Sequence, residues 1–323
     1  MTYEEFKRVL MAKLEEVLAA QGGGYILSTE KVDKLGRSYD GLIVKQAGKS
    51  TALSLNLEDI YDDFSLEEGR NGRKAALERG SEDVLGMIRS GFEHIPELDE
   101  KKITDYENIR KKFVLQAVSL WGNAEKLQDV PHRVTGDMAL VVRFETKLPD
   151  GRTGTGVITN DLVRSWGIKP ETLFKDAMEA APRNEPALLE TMAKVMEEMT
   201  GEPVPGPGPK LYVATVRSKI NGAAVMAYPG FMEEAAREIG SSYYVLPSSI
   251  HEVLLLADIE SPGLETLEGM VRSVNRTQVA PEERLSDTVY HYDARERKLE
   301  PAQQFEKRMA ERQRLEPQRQ EVR

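Results

Sequence analysis

A chain of 323 residues that is 40% hydrophobic and 30% charged has enough apolar material for two modest cores. Its net charge of −10 argues against a sequence-independent grip on nucleic acid and against docking on anionic membrane surfaces, both of which need a basic surface. There is no cysteine, which excludes disulfides, thiolate metal sites and a cysteine nucleophile.

The opening stretch, MTYEEFKRVLMAKLEEVLAA, carries acidic residues throughout and has no unbroken apolar run, so it reads as an amphipathic helix and not as a signal peptide. No apolar run approaches transmembrane length, and a reducing cytoplasm is the expected location. Phe6, Leu10, Leu14 and Val17 recur at helical spacing, and the glycines from Gly22 to Gly24 end that helix. Three strand-like segments follow, at Tyr25–Val32, Tyr39–Gln46 and Thr51–Leu57. With turns at Gly36-Arg37 and Gly48-Lys49 they form an antiparallel meander. Leu57–Gly69 reads as a helix whose Glu58, Asp59, Asp62 and Asp63 make a solvated acidic face, and a long charged helix runs on to about Phe92.

From Thr104 to Trp121, the spacing of Ile109, Phe113, Ala117, Leu120 and Trp121 predicts another helix, with Trp121 as a core anchor. Met138–Glu145 and Thr155–Thr159 read as a hairpin around Pro149-Asp150-Gly151. Asn160 is placed to cap a short helix ending at Gly167, and Pro170 to open the next. Leu188 to Met199 predicts a methionine-rich amphipathic helix, and GEPVPGPGPK, from Gly201 to Lys210, is a linker. Then come strands at Leu211–Arg217 and Ala223–Tyr228, a helix capped by Gly240, and strands at Tyr243–Leu246 and Glu252–Ala257. A helix through Leu264, Leu267, Met270, Val271 and Val274 and a strand at Thr288–Tyr292 complete the series. Beyond Ala294 nine basic and six acidic side chains make a charged tail, helical or disordered, whose removal should leave thermal stability nearly unchanged.

The densest apolar run, YYVLPSSIHEVLLLAD from Tyr243 to Asp258, is broken only at Pro247, Ser248, Ser249, His251 and Glu252. Polar groups inside such a run must find hydrogen-bond partners or do chemistry. The candidate catalytic residues are therefore Ser249 as nucleophile, His251 as base and Glu252 beside them, although no G-x-S-x-G elbow accompanies them. The competing reading is a strand-end turn closed by bonds from the serines and His251 to the backbone. The candidate metal ligands are His251, His291 and Asp293, the last two sharing a strand face, with no signature to fix a metal. Asp137 and Arg143 are candidates for a structural ion pair. No cofactor is expected.

The stretch LYVATVRSKINGAAVMAYPGFMEEAAREIGSSYYVLPSSIHEVLLLAD, followed by MVRSVNRTQVAPEERLSDTVYHYD, closely resembles the bacterial domain-of-unknown-function family 5688. The similarity extends upstream through DVPHRVTGDMALVVRF to LEDIYDDFSLEEG and the meander. The resemblance brings no established activity with it; it implies a cytoplasmic protein of Gram-positive anaerobes, encoded beside mobile elements.

The expected fold is α+β. An N-terminal region (1–129) of helix, antiparallel meander and helices precedes a mixed α/β region (130–293) containing the linker at 201–210, and a charged tail (294–323) follows. Two functions stand. The favoured one is a non-enzymatic accessory or binding factor with an acidic body that engages a protein partner. The alternative is a hydrolase or metal-dependent enzyme centred on the Pro-Ser-Ser-Ile-His-Glu segment.

Overall fold

The apolar spacing of the first helix is realised in α1 (Tyr3–Gln21), which turns Phe6, Leu10, Leu14 and Leu18 into a core. The computed structural model describes residues 1–22, 24–35, 37–47, 52–94, 105–147, 153–202 and 210–320. Gly36 of the expected turn Gly36-Arg37, the turns at Gly48-Lys49 and Pro149-Asp150-Gly151, and most of the linker at 201–210 lie outside them. The chain divides into two compact units, residues 1–103 with 146–154, and residues 104–145 with 155–323. The fold is α+β.

In the first unit Thr2 caps α1 in a reciprocal box with Glu5, satisfying two otherwise orphaned backbone N–H groups. Strands β1 (Tyr25–Lys34), β2 (Arg37–Gln46) and β3 (Ala52–Asn56) form the expected meander in the order β1-β2-β3. Asn56 caps α2 (Leu57–Asn71), and α3 (Arg73–His94) follows. The buried faces of the three helices close on Leu42 and Val44 of β2. The Asp40 carboxylate takes hydrogen bonds from Tyr3 and Lys7. Burial and the Asp40 charge push the Tyr3 hydroxyl up to about 12.

In the second unit a short helix, α4 (Tyr106–Ile109), gives way to β4 (Phe113–Ser119), where the sequence predicts a continued helix. All but the last residue of β4 are buried. A strand covered on both faces shows no alternation, so its apolar run mimics a helical stripe. Trp121 consequently sits on a turn and is 79% exposed rather than anchoring the core. Strands β5 (His132–Thr135), β6 (Met138–Lys147) and β7 (Thr153–Val157) complete this sheet, in the order β4-β6-β5 with β7 on β6. Strands β4 and β6 pair with one another, and the residues on both sides of Val130 lie in the second unit.

Helix α5 (Asn160–Ser165) is capped by Thr159, one residue before the expected Asn160, and α6 (Pro170–Asn184) opens on its proline. The stretch expected to be one methionine-rich helix begins as a strand, β8 (Ala187–Thr191). Only from Met192 does it become a helix, α7 (Met192–Thr200), with Thr191 as its cap. The ladder between β8 and β9 (Leu211–Val216) decides this, a tertiary pairing that periodicity does not encode. The strand expected at Ala223–Tyr228 is a buried 3-10 turn, Gly222–Ala227. Helix α8 (Phe231–Ile239) ends at Gly240 as expected.

The strands expected on either side of the Pro-Ser-Ser break, β10 (Tyr243–Leu246) and β11 (Val253–Ala257), pair antiparallel. Helix α9 (Leu264–Thr277), β12 (Tyr290–Asp293), β13 (Lys298–Pro301) and α10 (Ala302–Gln320) complete the fold. The resulting sheet has six strands in the order β13-β12-β10-β11-β9-β8, with antiparallel pairing throughout. One face carries Tyr244, Leu246 and Leu256, packed with Leu267 and Val271 of α9 and Ala302 of α10.

The charged tail therefore does not begin as a solvated appendage. After a turn at 294–297 it forms the edge strand β13, and Phe305 of α10 stacks on His291 with ring centroids 3.6 Å apart. Arg308 reaches back to Asp293 (3.0 Å), to Glu300 and to Glu296. Among the described residues no helix is long and apolar enough to cross a membrane.

Candidate functional site

The connection between β10 and β11, residues 247–252, lies between two other segments that fix it through backbone hydrogen bonds. On one side the Ser286 and Leu285 N–H groups donate to the carbonyls of Pro247 and Ser248 at 3.0 and 3.1 Å, and the Ile250 N–H donates to the Glu283 carbonyl at 2.9 Å. On the other side the Ala223 N–H donates to the Ile250 carbonyl at 3.1 Å, and the Thr215 hydroxyl donates to the His251 carbonyl at 2.7 Å. Gly222 allows this approach. A Cβ there would meet Thr215 Oγ1 at 2.0 Å and the His251 carbonyl at 2.5 Å.

Within the connection the Ser249 Oγ accepts the backbone N–H of His251 at 3.0 Å, a local turn of the kind serine favours. The His251 ring is held at both nitrogens. Its Nδ1 accepts the Asn221 N–H at 3.2 Å, which places the proton of the neutral ring on Nε2, 3.3 Å from a Glu283 carboxylate oxygen. Asn221 reaches this position with a left-handed backbone, φ 56°, and Lys219 two residues earlier is also left-handed at 59°. Non-glycine residues hold such conformations only where their surroundings over-determine them.

Ser248, Ser249, His251, Glu252 and Glu283 all face one end of a groove of about 660 Å³. Its floor is Leu211 of β9, Leu246 of β10, and Leu254 and Leu256 of β11; its wall is Leu267, Met270, Val271 and Val274 of α9. Glu260, beyond the far end of β11, also lines it. The volume and the mainly apolar lining with a few polar groups at one end are those of a ligand site.

The structure thus brings the three candidate catalytic residues, Ser249, His251 and Glu252, to one groove. It does not bring together the candidate metal ligands His251, His291 and Asp293: among the described residues no three His, Asp or Glu side chains are grouped to hold a metal. His291 is fully buried, with Nε2 3.2 Å from Asp258 Oδ2 and its ring against Phe305 and Tyr244. Asp293 accepts the N–H groups of Arg295 and Glu296 and the Arg308 guanidinium. His132 is turned to the Val130 carbonyl at 2.9 Å. Asp137 and Arg143 bond to separate partners. Arg143 donates to Gln116 and Thr155, while Asp137 accepts the hydroxyls of Ser286, Thr288 and Tyr290.

Glu283, Asn221 and Thr215 were missing from the sequence-level site. The Asn221-Gly222 dipeptide was the one available signal, as a turn former able to adopt left-handed φ. Nothing local marks Glu283, which arrives through the ladder-like contact between residues 247–250 and 283–286.

Fold and site together define an α+β protein whose motifs buttress the end of an apolar groove. The profile of a family of unknown function (DUF5688) matches residues 3–294, and the chain belongs to that family. Comparison with curated proteins found no match, and neither did comparison with solved structures.

Proposed function

We propose that the chain is a non-enzymatic binding or accessory protein that engages a protein partner through the groove between α9 and the β10–β11–β9 face. One observation carries this reading: the ring nitrogen that would take a proton from serine is already an acceptor. A nucleophilic serine needs a base whose free nitrogen faces the hydroxyl. Here Nδ1 of His251 accepts the Asn221 N–H, Nε2 faces Glu283, and the Ser249 Oγ accepts from the backbone of His251. The polar notch is built as a rim that shapes the groove. In this reading the protein is a cytoplasmic bacterial factor associated with mobile elements, as the family resemblance implies.

The second reading, a hydrolase centred on Ser249, His251 and Glu252, is favoured by their convergence with Glu283 in one concavity. A fluorophosphonate probe and a neutral apolar dye, Nile red, separate the two. The binding reading expects no labelling of Ser249 beyond that of Ser249→Ala, and dye emission that falls when Met270 is replaced by lysine. Stoichiometric labelling of Ser249 that His251→Ala abolishes would establish the enzyme instead.

A further inference from the structure

Resting on that binding reading, we propose that the groove receives an amphipathic helix of a partner protein bearing basic residues at both ends of its apolar face. The argument begins with charge. Carboxylates stand at both ends of the groove, Glu252 and Glu283 beside His251 and Glu260 beyond β11, and no lysine or arginine lines it among the described residues. Glu252 has no hydrogen-bond or ion-pair partner among the described residues. Between the ends the lining is leucine, methionine and valine. An apolar trough with anionic ends is complementary to an apolar segment with cationic ends.

Length follows from the strand. The five residues of β11, at about 3.3 Å each, set the two acidic ends about 16 Å apart. About three turns of α-helix span that distance. The shape also selects a helix. The floor is a sheet face and the wall is one side of α9, so among the described residues the groove has the shape that a second helix laid beside α9 on the same face would fill. Met270 and Val274, on the exposed flank of α9, are 54% and 40% exposed and form the edge such a helix would cover. The acidic ends disfavour an anionic lipid surface as the occupant.

Binding of three fluorescein-labelled peptides to the full chain, followed by anisotropy, tests this. Each has about 12 helical residues with leucines on one face, and the ends carry lysine, glutamine or glutamate. The lysine peptide is expected to bind about tenfold more tightly than the glutamate peptide, because exposed ion pairs each contribute modestly. Replacing Glu252 and Glu260 together by glutamine should narrow that gap to about threefold while leaving the glutamine peptide unaffected. Met270→Lys, at an exposed position that leaves folding intact, should weaken all three. Equal affinity for the lysine and glutamate peptides, or binding indifferent to Met270→Lys, overturns the proposal. Nile red emission from the groove in the wild type, combined with no binding of any of the three peptides, overturns the helix proposal and leaves a groove that binds apolar ligands. Failure of dye and peptides alike removes both.

Discussion

The Asp137 carboxylate accepts the Tyr290 hydroxyl at 2.6 Å, and Tyr290 in turn accepts the Asp137 N–H at 3.0 Å. Ser286 and Thr288 add two more hydroxyls to the same carboxylate at 2.8 Å. The turn between β5 and β6 is thereby tied to the approach to β12, and the residues that follow Glu283 at the groove are anchored from behind. Asp137→Ala should destabilise the protein by about 3 kcal/mol and Tyr290→Phe by about 1 kcal/mol, since bonds to a charged acceptor are the stronger kind. Urea denaturation reads both. Equal losses for the two variants would mean that the carboxylate does not act as a hub.

Gly136 has φ +61°, and a Cβ there would lie 2.0 Å from the Tyr290 hydroxyl oxygen. Gly136→Ala therefore combines backbone strain with a clash and should cost about 3 kcal/mol. In a Tyr290→Phe background the clash is relieved in part, so a double-mutant cycle should show coupling of about 1 kcal/mol. Strict additivity would place the cost elsewhere.

Acid stability is expected to depend on Arg308. Burial by itself raises the carboxyls of Asp293 and Glu300. For Asp293 the N–H groups of Glu296 and Arg295 and the Arg308 guanidinium outweigh burial, and for Glu300 the Lys298 and Arg308 side chains do so. Both groups therefore ionise below their ordinary values in the folded chain. A group lowered in this way binds fewer protons folded than unfolded, so its stabilisation is present above the unfolded carboxyl value near 4 and is lost as pH falls. Arg308→Met removes the partner, and the midpoint of acid unfolding should move to higher pH. An unchanged midpoint by circular dichroism would show the network to be incidental.

Truncation after Ala294 removes β13, the fully buried Ala302 and the Phe305 ring stacked on His291. The melting temperature should fall by more than about 10 °C, or the protein should fail to fold. Truncation after Arg314 keeps Arg308 and Arg312 in their ion pairs with residues 293–300 and should shift it by less than about 2 °C. Comparable shifts for the two truncations would contradict the edge-strand role of residues 298–301.

Ser249→Ala removes the acceptor for the His251 N–H, and Thr215→Val removes the donor to the His251 carbonyl. Each should cost about 1 kcal/mol of stability, more for the buried Thr215 than for Ser249. Two-dimensional NMR should locate the perturbation at residues 221–223 and 249–251. A change spread along α9 would show that these bonds do not act locally.

Local chemistry made much of this molecule legible. The glycine at 240, the proline at 170 and the β-branched, strand-like segments at 25–32 and 39–46 mark their elements because each reports a backbone or burial requirement of its own position. The misread segments are those decided at a distance. β4 is buried on both faces, so its pattern was helical by coincidence; β8 exists because β9 lies beside it; β13 looked solvated because its charged residues pair with Arg308 and each other. The site divides in the same way. Ser249, His251 and Glu252 stood out as polar residues within an apolar run, whereas Glu283 and Asn221 complete the arrangement from remote loops.

The order of strands in the larger sheet bears on how the protein is made. Its six strands come from residues 187 to 301, and the central pair β10–β11 is flanked on one side by β12 and β13, which are synthesised after it. The described helices and strands between residues 3 and 94 leave the ribosome long before that sheet can close. During elongation the chain therefore carries a finished N-terminal core ahead of unpaired strands, among them the leucine-rich β11. Until Pro301 has emerged, β12 is a strand edge without its outer partner, the kind of edge that favours pairing with other chains.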